Sequence, residues 1–288
     1  YDGQEKNNYL TLFGALSANY EVNDAIDLTA TTSSYNTQEE EYFDIAAAYN
    51  LGEVDANVGS EDFGEVEFSE GIGSQLNHAR NDLDALISNF QLKGTYKKES
   101  LEISAGLKYQ HEDIKDRIRE WEIIDSLGFS VRPPLTAGNN QPYISFEGPI
   151  LPYQNIRADN NVQINRVSGF IQLNEKRSWK DHEIWYSVGV RAQNWKVTGN
   201  GVPSKNQVTI SPRGQFAIKP DWSQDMLFRV SGGWYSQPPS YRELKDYNGQ
   251  LNVDVKAQKS IHFVSGMDYS FQMWERPFKL TTEIYYKD

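Results

Sequence analysis

Alternation of apolar and polar residues along the chain is the feature that most restricts how this sequence can fold. Residues 101–110 read LEISAGLKYQ, so that one face of the segment is apolar and the other is polar. A period of two is that of a β-strand, whose successive side chains point to opposite faces. Comparable alternation recurs in about ten segments of roughly ten residues each, between Leu10 and Tyr286. The sequence therefore predicts an all-β fold.

The connections between these segments are alternately short and long. The short ones are Asn23-Asp24, Lys97–Ser100, Lys176–His182, Pro220–Asp225 and Gln272–Pro277, and the long ones are Tyr35–Asp82, His111–Asn161, Trp195–Val208 and Tyr235–Lys259. Strands of about ten residues match the 9–11 that cross a bilayer better than the five or six usual in soluble sheets. We therefore expect an antiparallel up-and-down transmembrane β-barrel, here a partial barrel of about ten strands with long outer loops and short periplasmic turns.

Tryptophan is concentrated in the short connections. Trp179, Trp222 and Trp274, three of the seven tryptophans, lie there. Indole rings favour the boundary between lipid and water, so we expect these three to form an interfacial girdle. The alternative is ordinary packing beneath hairpins of a soluble sheet.

Charge and composition exclude several classes of protein. The net charge is −12, and most of the acidic excess lies between Asn36 and Asp82, which argues against nucleic acid as a partner. There is no cysteine and hence no disulfide or thiol chemistry. The longest apolar run, Ile45–Tyr49, is too short for a membrane-spanning helix. The chain begins at Tyr1 without a leader and ends at Asp288 within an alternating stretch, so we expect a piece of a larger protein.

No combination of residues predicts catalysis. We expect a protein that is not an enzyme and has no cofactor and no metal site. The acidic pairs Glu65/Glu67 and Asp113/Asp116 are interpreted as solvated charge rather than glycosidase carboxylates. Whether the acidic segment 36–82 holds calcium is left open, because it contains no EF-hand spacing. The histidines have no ligand spacing; they are His78, His111, His182 and His262.

Two sets of side chains are candidates for contact with a solute. Four arginines lie on the faces opposite the apolar ones and are candidate lumen-facing residues; they are Arg166, Arg191, Arg213 and Arg229. Aromatic residues in the predicted long loops suit stacking on a cargo, or equally packing of loops on each other. These are Trp121, Tyr143, Tyr153, Tyr235, Tyr241 and Tyr247.

The stretch after residue 227 carries a family resemblance. Residues 233–244 read GWYSQPPSYREL, and residues 256–260 read KAQKS before the next strand. This arrangement resembles the late barrel of TonB-dependent outer-membrane receptors. Its signature residues are Pro238, Pro239, Glu243, Leu244, Lys259 and Ser260. Ala257-Gln258 departs from the Pro-Glu usual in the family, and segments such as Leu51–Val54 and His78–Asn81 resemble its Bacteroidetes branch.

The resemblance implies more than this chain contains. Members of the family have barrels of about 22 strands with a plugged lumen. Residues 1–288 would then be part of such a barrel, with the plug and the remaining strands outside this sequence. The implied function is active uptake of a scarce solute across the bacterial outer membrane, with outer-membrane lipid and TonB as partners. A siderophore, an oligosaccharide or another small solute would all fit as cargo, and a surface lipoprotein is a further candidate partner.

Two other classes of protein share many of these features. A passive porin-like barrel would show the same alternation without the signature. A soluble β-rich carbohydrate-binding protein would bury both faces of its sheets, which the long polar faces argue against.

Overall fold

One antiparallel sheet contains all the strands of the computed structural model, which describes residues 2–125 and 152–288. Each strand pairs only with its neighbours along the chain, which confirms the predicted all-β, up-and-down arrangement. The strands are β1 (Asp2–Asn23), β2 (Ile26–Val54), β3 (Val66–Lys98), β4 (Leu101–Asp125), β5 (Pro152–Trp179), β6 (His182–Gly199), β7 (Val202–Lys219), β8 (Asp225–Gln237), β9 (Gln258–Met273) and β10 (Arg276–Lys287). A single 3-10 turn, Arg242–Leu244, lies between β8 and β9. Within the described ranges, no helix has the length and apolarity needed to cross a membrane.

The strands are longer than the alternation predicts. Instead of roughly ten residues they have between 12, in β10, and 33, in β3. Much of the segments predicted as loops at 36–82, 111–161 and 195–208 is therefore strand, and that part of the prediction is wrong. The described connections at that end of the sheet are residues 55–65, 200–201 and 238–257, and only the last is the long loop expected. Residues 126–151 lie outside the described residues.

The added strand length is held by polar pairs between neighbouring strands. The hydroxyl of Tyr42 donates to Asp82 Oδ1 at 2.6 Å, and Arg117 also pairs with Asp82. Arg80 pairs with Asp44 at 2.5 Å. Backbone pairing satisfies the N–H and C=O groups of polar and apolar residues alike, so a ladder continues where the apolar pattern stops. Such segments look like loops in the sequence because charged residues interrupt the regular alternation of apolar and polar positions.

The short connections lie together at one end of the sheet, which we call the turn end. They are residues 24–25, 99–100, 180–181, 220–224 and 274–275. Trp179, Trp222 and Trp274 all lie at this end, with 57%, 54% and 79% of their surfaces exposed. The prediction that the short turns share one end is confirmed. The interfacial girdle of tryptophans stays a prediction. The opposite end is called the loop end.

Side chains on one face of the sheet form an apolar band beside the turn end. A representative row of register partners runs Ala30, Leu92, Leu107, Gly169, Ala192 and Ile210 across β2 to β7. Leu107 and Ile210 are 64% and 62% exposed. A contiguous exposed apolar surface on this scale is unusual in a soluble monomer. We call this surface the apolar band, its side of the sheet the band face, and the opposite side the polar face.

The apolar band ends at a sharp level along the strands. On β4 it extends from Leu101 to Tyr109, and the next residue on the same face is His111. His111 Nδ1 lies 2.9 Å from Asn165 Oδ1, which also accepts a hydrogen bond from the Tyr109 hydroxyl at 2.7 Å. The band on β4 thus spans the length of about nine residues, or roughly 30 Å along a strand. Tilted by 35–45°, such a segment rises about 23 Å, close to the 25 Å apolar height of outer-membrane barrels.

The turn between β9 and β10 generates a test of the fold. Trp274 and Glu275 both have positive φ, 53° and 59°, which side chains other than glycine adopt at a cost. We expect Glu275→Val to lower the free energy of unfolding by about 1–3 kcal/mol, since a branched Cβ is strained at this φ. Glu275→Gly should leave it nearly unchanged. Urea unfolding of the full-length protein in lipid vesicles measures both, and equal effects of the two variants would contradict the turn geometry.

Candidate functional site

The loop between β8 and β9, residues 238–257, folds back onto the polar face of the sheet. It packs on strands β3 to β6, not only on the two strands it joins. The buried cluster that results is Ala85, Ile114, Val162, Ile164, Trp195, Val197, Tyr241, Leu244 and Val253. Leu244 has no exposed surface and Trp195 is only 1% exposed. The main core of the described residues therefore lies between this loop and the polar face of the sheet. We call residues 238–257 the docked loop.

A buried carboxylate fixes the start of the docked loop. The hydroxyl of Tyr241 donates to Asp116 Oδ2 at 2.7 Å, and Lys245 Nζ lies 2.6 Å from the same oxygen. Tyr241 and Asp116 are 8% and 6% exposed. Burial, and then the hydrogen bond to Asp116, raise the pKa of Tyr241 well above its usual range, so the phenol stays neutral. A charge at such a site is tolerated only with partners, and two donors supply them here.

Arg166 connects the docked loop to β4. Its Nε lies 2.5 Å from Glu112 Oε1, and its Nη2 donates to the backbone oxygen of Pro239 at 2.8 Å. Glu112 is 5% exposed, so this ion pair is largely withdrawn from water. The guanidinium fork suits two acceptors at once. Arg166 therefore has a structural role in seating Pro239.

Glu243 organises the loop from within. Its Oε2 accepts hydrogen bonds from the backbone N–H and the hydroxyl of Ser240, at 2.6 and 2.9 Å. These bonds hold the pKa of Glu243 below its usual range. Gln258 donates to the other carboxylate oxygen at 2.9 Å, which ties the turn to the start of β9. Four signature residues thus have structural environments: Pro239 and Glu243 in these contacts, Leu244 in the core, and Ser260 through its 2.7 Å bond to the backbone oxygen of Asp288.

The tip of the docked loop approaches β4 and β5 closely. Asn160 Nδ2 donates to the backbone oxygen of Gly249 at 2.7 Å. Gly249 has φ of +74°, and a Cβ there would lie 3.0 Å from Ile118 Cδ1 and 3.1 Å from Ala158 Cβ. Only glycine combines that backbone conformation with that proximity. Nothing in the sequence alone identifies Asn160 and Asp116 as partners of this loop, because they are far away along the chain.

All four candidate arginines lie on the polar face, as the alternation predicts. The register places Arg166 on β5, Arg191 on β6, Arg213 on β7 and Arg229 on β8. Two of them are neutralised, Arg166 by Glu112 and Arg229 by Asp268 at 2.8 Å and Glu283 at 2.6 Å. Arg191 has no hydrogen bond or ion pair with the described residues, and Arg213 donates only to the amide oxygen of Gln172, at 2.7 Å. Arg166 and Arg229 therefore have carboxylate partners, whereas Arg191 and Arg213 have none among the described residues.

The candidate aromatic residues are dispersed. Trp121 lies in β4, stacked on His78 with ring centroids 4.7 Å apart, and Tyr235 lies in β8, 4.6 Å from the ring of His262. Their predicted position in loops is wrong. Tyr241 is buried, and its hydroxyl is used by Asp116, whereas Tyr247 at the loop tip is 84% exposed.

Two further candidates cannot be placed as side chains. Tyr143 lies outside the described residues. Tyr153 is in β5, but its side chain is not among those described.

The pairing between β7 and β8 is incomplete. It extends from Ile218–Phe228 to Arg213–Gly233 and stops there, while β8 continues along β9 as far as Gln237–Gln258. Pro212, the next residue of β7, has no N–H to donate to a ladder. A cleft of about 620 Å³ opens on the loop-end side of this point, between β6–β7 and β8–β9. We call it the β7–β8 cleft.

Among the described residues no group of three or more His, Asp or Glu side chains could hold a metal ion. Asp113 and Asp116, three residues apart on β4, project from opposite faces and cannot act as a pair.

Comparisons with known proteins give a loose likeness in fold. No family model and no curated protein matches the chain. Similar solved structures are the copper transporter OprC (9% identity, TM-score 0.40), the ferric preacinetobactin receptor BauA from Acinetobacter baumannii (12%, 0.44) and the alcaligin outer-membrane receptor FauA from Bordetella pertussis (10%, 0.36). They cover 92%, 98% and 97% of this chain, which spans only 43%, 42% and 43% of theirs. At these scores the likeness identifies neither the family nor a solute.

Docking of the loop can be tested through Leu244. We expect Leu244→Ala to lower the free energy of unfolding by about 2–5 kcal/mol, because it opens a cavity at a fully buried position. The docked loop should then be cleaved by trypsin at Lys245 and Lys256 much faster than in the wild-type protein. Tyr247→Ala, in the same loop but exposed, is the control and should not change the cleavage rate. Equal rates for the two variants would mean that the loop is not held by this core.

Proposed function

We propose that this chain is part of the barrel of a TonB-dependent outer-membrane receptor that takes up a scarce solute. The apolar band faces lipid, with the turn end on the periplasmic side and the loop end outside the cell. The polar face lines the lumen. Energy passed through TonB would move a plug carried by another part of the protein.

The observation that carries the membrane location is the apolar band itself. Its exposed side chains, such as Leu107, Val188 and Ile210, have between 58% and 64% of their surfaces uncovered. At about 25 cal/mol per Å², a surface of this kind is costly in water and favourable against hydrocarbon. The band also has the height of a bilayer core, and the face turns polar beyond His111. A sheet surrounded by water does not require an exposed face that changes from apolar to polar at one level along the strands.

The signature favours a receptor over a porin. Its residues resemble those of the receptor family, and two of them, Pro239 and Leu244, hold the docked loop against the polar face through Arg166 and the buried cluster. A loop seated on this face narrows the space in front of β3 to β6. Passive pores also obtain selectivity from constrictions in the lumen, so the signature residues, and not the narrowing, favour a receptor.

The full-length gene product tests this proposal without knowledge of the solute. We expect it in the outer-membrane fraction, released only by detergent, and closed to steady current in planar bilayers. Release without detergent would exclude the membrane location. An open, steady conductance would exclude the receptor and leave a passive porin.

The apolar band predicts which face tolerates charge. Ile171 and Gln163 lie on the same face of β5, Ile171 within the band and Gln163 beyond it. We expect Ile171→Arg to lower the free energy of unfolding in lipid vesicles by about 2–4 kcal/mol, and Gln163→Arg by no more than about 1 kcal/mol. Urea titration in vesicles measures both. Equal costs would mean that the band does not contact lipid.

A further inference from the structure

The β7–β8 cleft has a charge opposite to that of the chain. Among the described residues that line it, four are basic, Arg191, Arg213, Lys259 and Lys287, and only Asp288 is acidic. The whole chain carries −12. Elsewhere on the same face, Arg166 and Arg229 each have carboxylate partners. Basic side chains therefore collect here without the acids that neutralise similar residues nearby.

Arg191 and Arg213 can act on one group together. Arg191 is the register partner of Ser211, two residues before Arg213, so the two arginines are diagonal neighbours across β6 and β7. Diagonal positions are about 7–8 Å apart, within reach of two long side chains that converge on one anion. Each guanidinium offers parallel N–H donors that match a carboxylate or phosphate.

The backbone leaves room around Arg213. Its register partners on the two neighbouring strands are both glycine, Gly189 on β6 and Gly233 on β8. A Cβ at Gly233 would lie 2.9 Å from Arg213 Cβ. The absence of both side chains keeps the stem of Arg213 uncovered on either side, which suits a residue that must reach a ligand.

Two residues that line the cleft each have a buried polar atom without a hydrogen-bond partner among the described residues. Ser211 Oγ and His262 Nε2 are both inaccessible to solvent and make no hydrogen bond with the described residues. Buried polar atoms nearly always have partners, and leaving one unsatisfied costs about 1–3 kcal/mol. A hydroxyl and an imidazole N–H can each donate to an anionic oxygen.

We propose that the β7–β8 cleft is a binding subsite for an anionic oxygen-bearing group of the transported solute, a carboxylate in particular. Arg191 and Arg213 bind the charge, Ser211 and His262 complete the hydrogen bonds, and Lys259 adds positive potential at the strand edge. The inference rests on the proposed function, because it places this face in a lumen through which a solute passes. It adds a substrate class, an acidic solute, to that function.

Citrate is a suitable probe because it presents three carboxylates in a volume that the cleft can hold. Its binding to the full-length protein in detergent micelles is measured by isothermal titration calorimetry. We expect the double variant Arg191→Gln/Arg213→Gln to weaken binding at least about tenfold, the effect of losing a single charge-assisted pair. Lys108→Gln is the matched control, since Lys108 is a half-buried residue on the polar face of β4 and forms no ion pair with the described residues. It should change the dissociation constant less than about twofold.

The outcomes separate this inference from the proposed function. Loss of binding in the double variant but not in Lys108→Gln supports the subsite, provided that both variants reach the outer membrane in wild-type amounts. Absence of citrate binding by the wild-type protein at millimolar concentration would overturn it, as would equal binding by both variants. Either result leaves the membrane location intact, because that is tested by fractionation. If the double variant does not assemble in the membrane, Ser211→Ala tests the same subsite. We expect Ser211→Ala to weaken citrate binding by a smaller factor than the double variant.

Discussion

Hydrogen bonding between strands that are neighbours in the chain is the constraint on which every other feature depends. Each strand from β2 to β9 has a partner on both sides, and the partners are always the preceding and following strands. Once that pairing is fixed, the period of two decides which side chains share a face. A shift of one residue in any hairpin would exchange the two faces of that strand. The apolar band and the polar face are thus two results of one register.

The docked loop supplies hydrogen-bond and ionic partners to charged side chains of the polar face. A wall that carries Glu112, Asp116 and Arg166 needs either water or partners, and the loop supplies partners while it excludes water. It does so with the backbone oxygen of Pro239 at Arg166, a phenol and an ammonium at Asp116, and a leucine, Leu244, that is fully buried in the same cluster. Single changes in such a network leave a buried charge unsatisfied, so its parts depend strongly on one another. Three of the signature residues, Pro239, Glu243 and Leu244, can be understood from this arrangement without reference to any solute.

The sequence predicts the part of the sheet in which apolar and polar residues alternate. Leu101–Tyr109 and the tight turns follow from local pattern and turn length, and the structure confirms them. The strand extensions of β2, β3 and β4 do not follow from the sequence pattern, because charged residues interrupt the period of two there, while pairing with the neighbouring strands continues. The sequence pattern therefore predicts a loop that begins at Trp195, yet this residue is part of the buried core. The pairing of Arg166 and the freedom of Arg191 depend on contacts between distant segments, which alternation does not encode.

The docked loop also bears on the order in which the chain assembles. The sheet is built from hairpins of adjacent segments, each closed by a turn of a few residues, so its contacts can form progressively along the chain. Tyr241 and Lys245, in contrast, meet Asp116 across 125 and 129 residues. Contacts at such separation bear a large loop-closure entropy and form late when the intervening elements are local. The polar face must therefore form before the docked loop can pack on it. The charged side chains of that face, such as Asp116, stay hydrated until the loop docks.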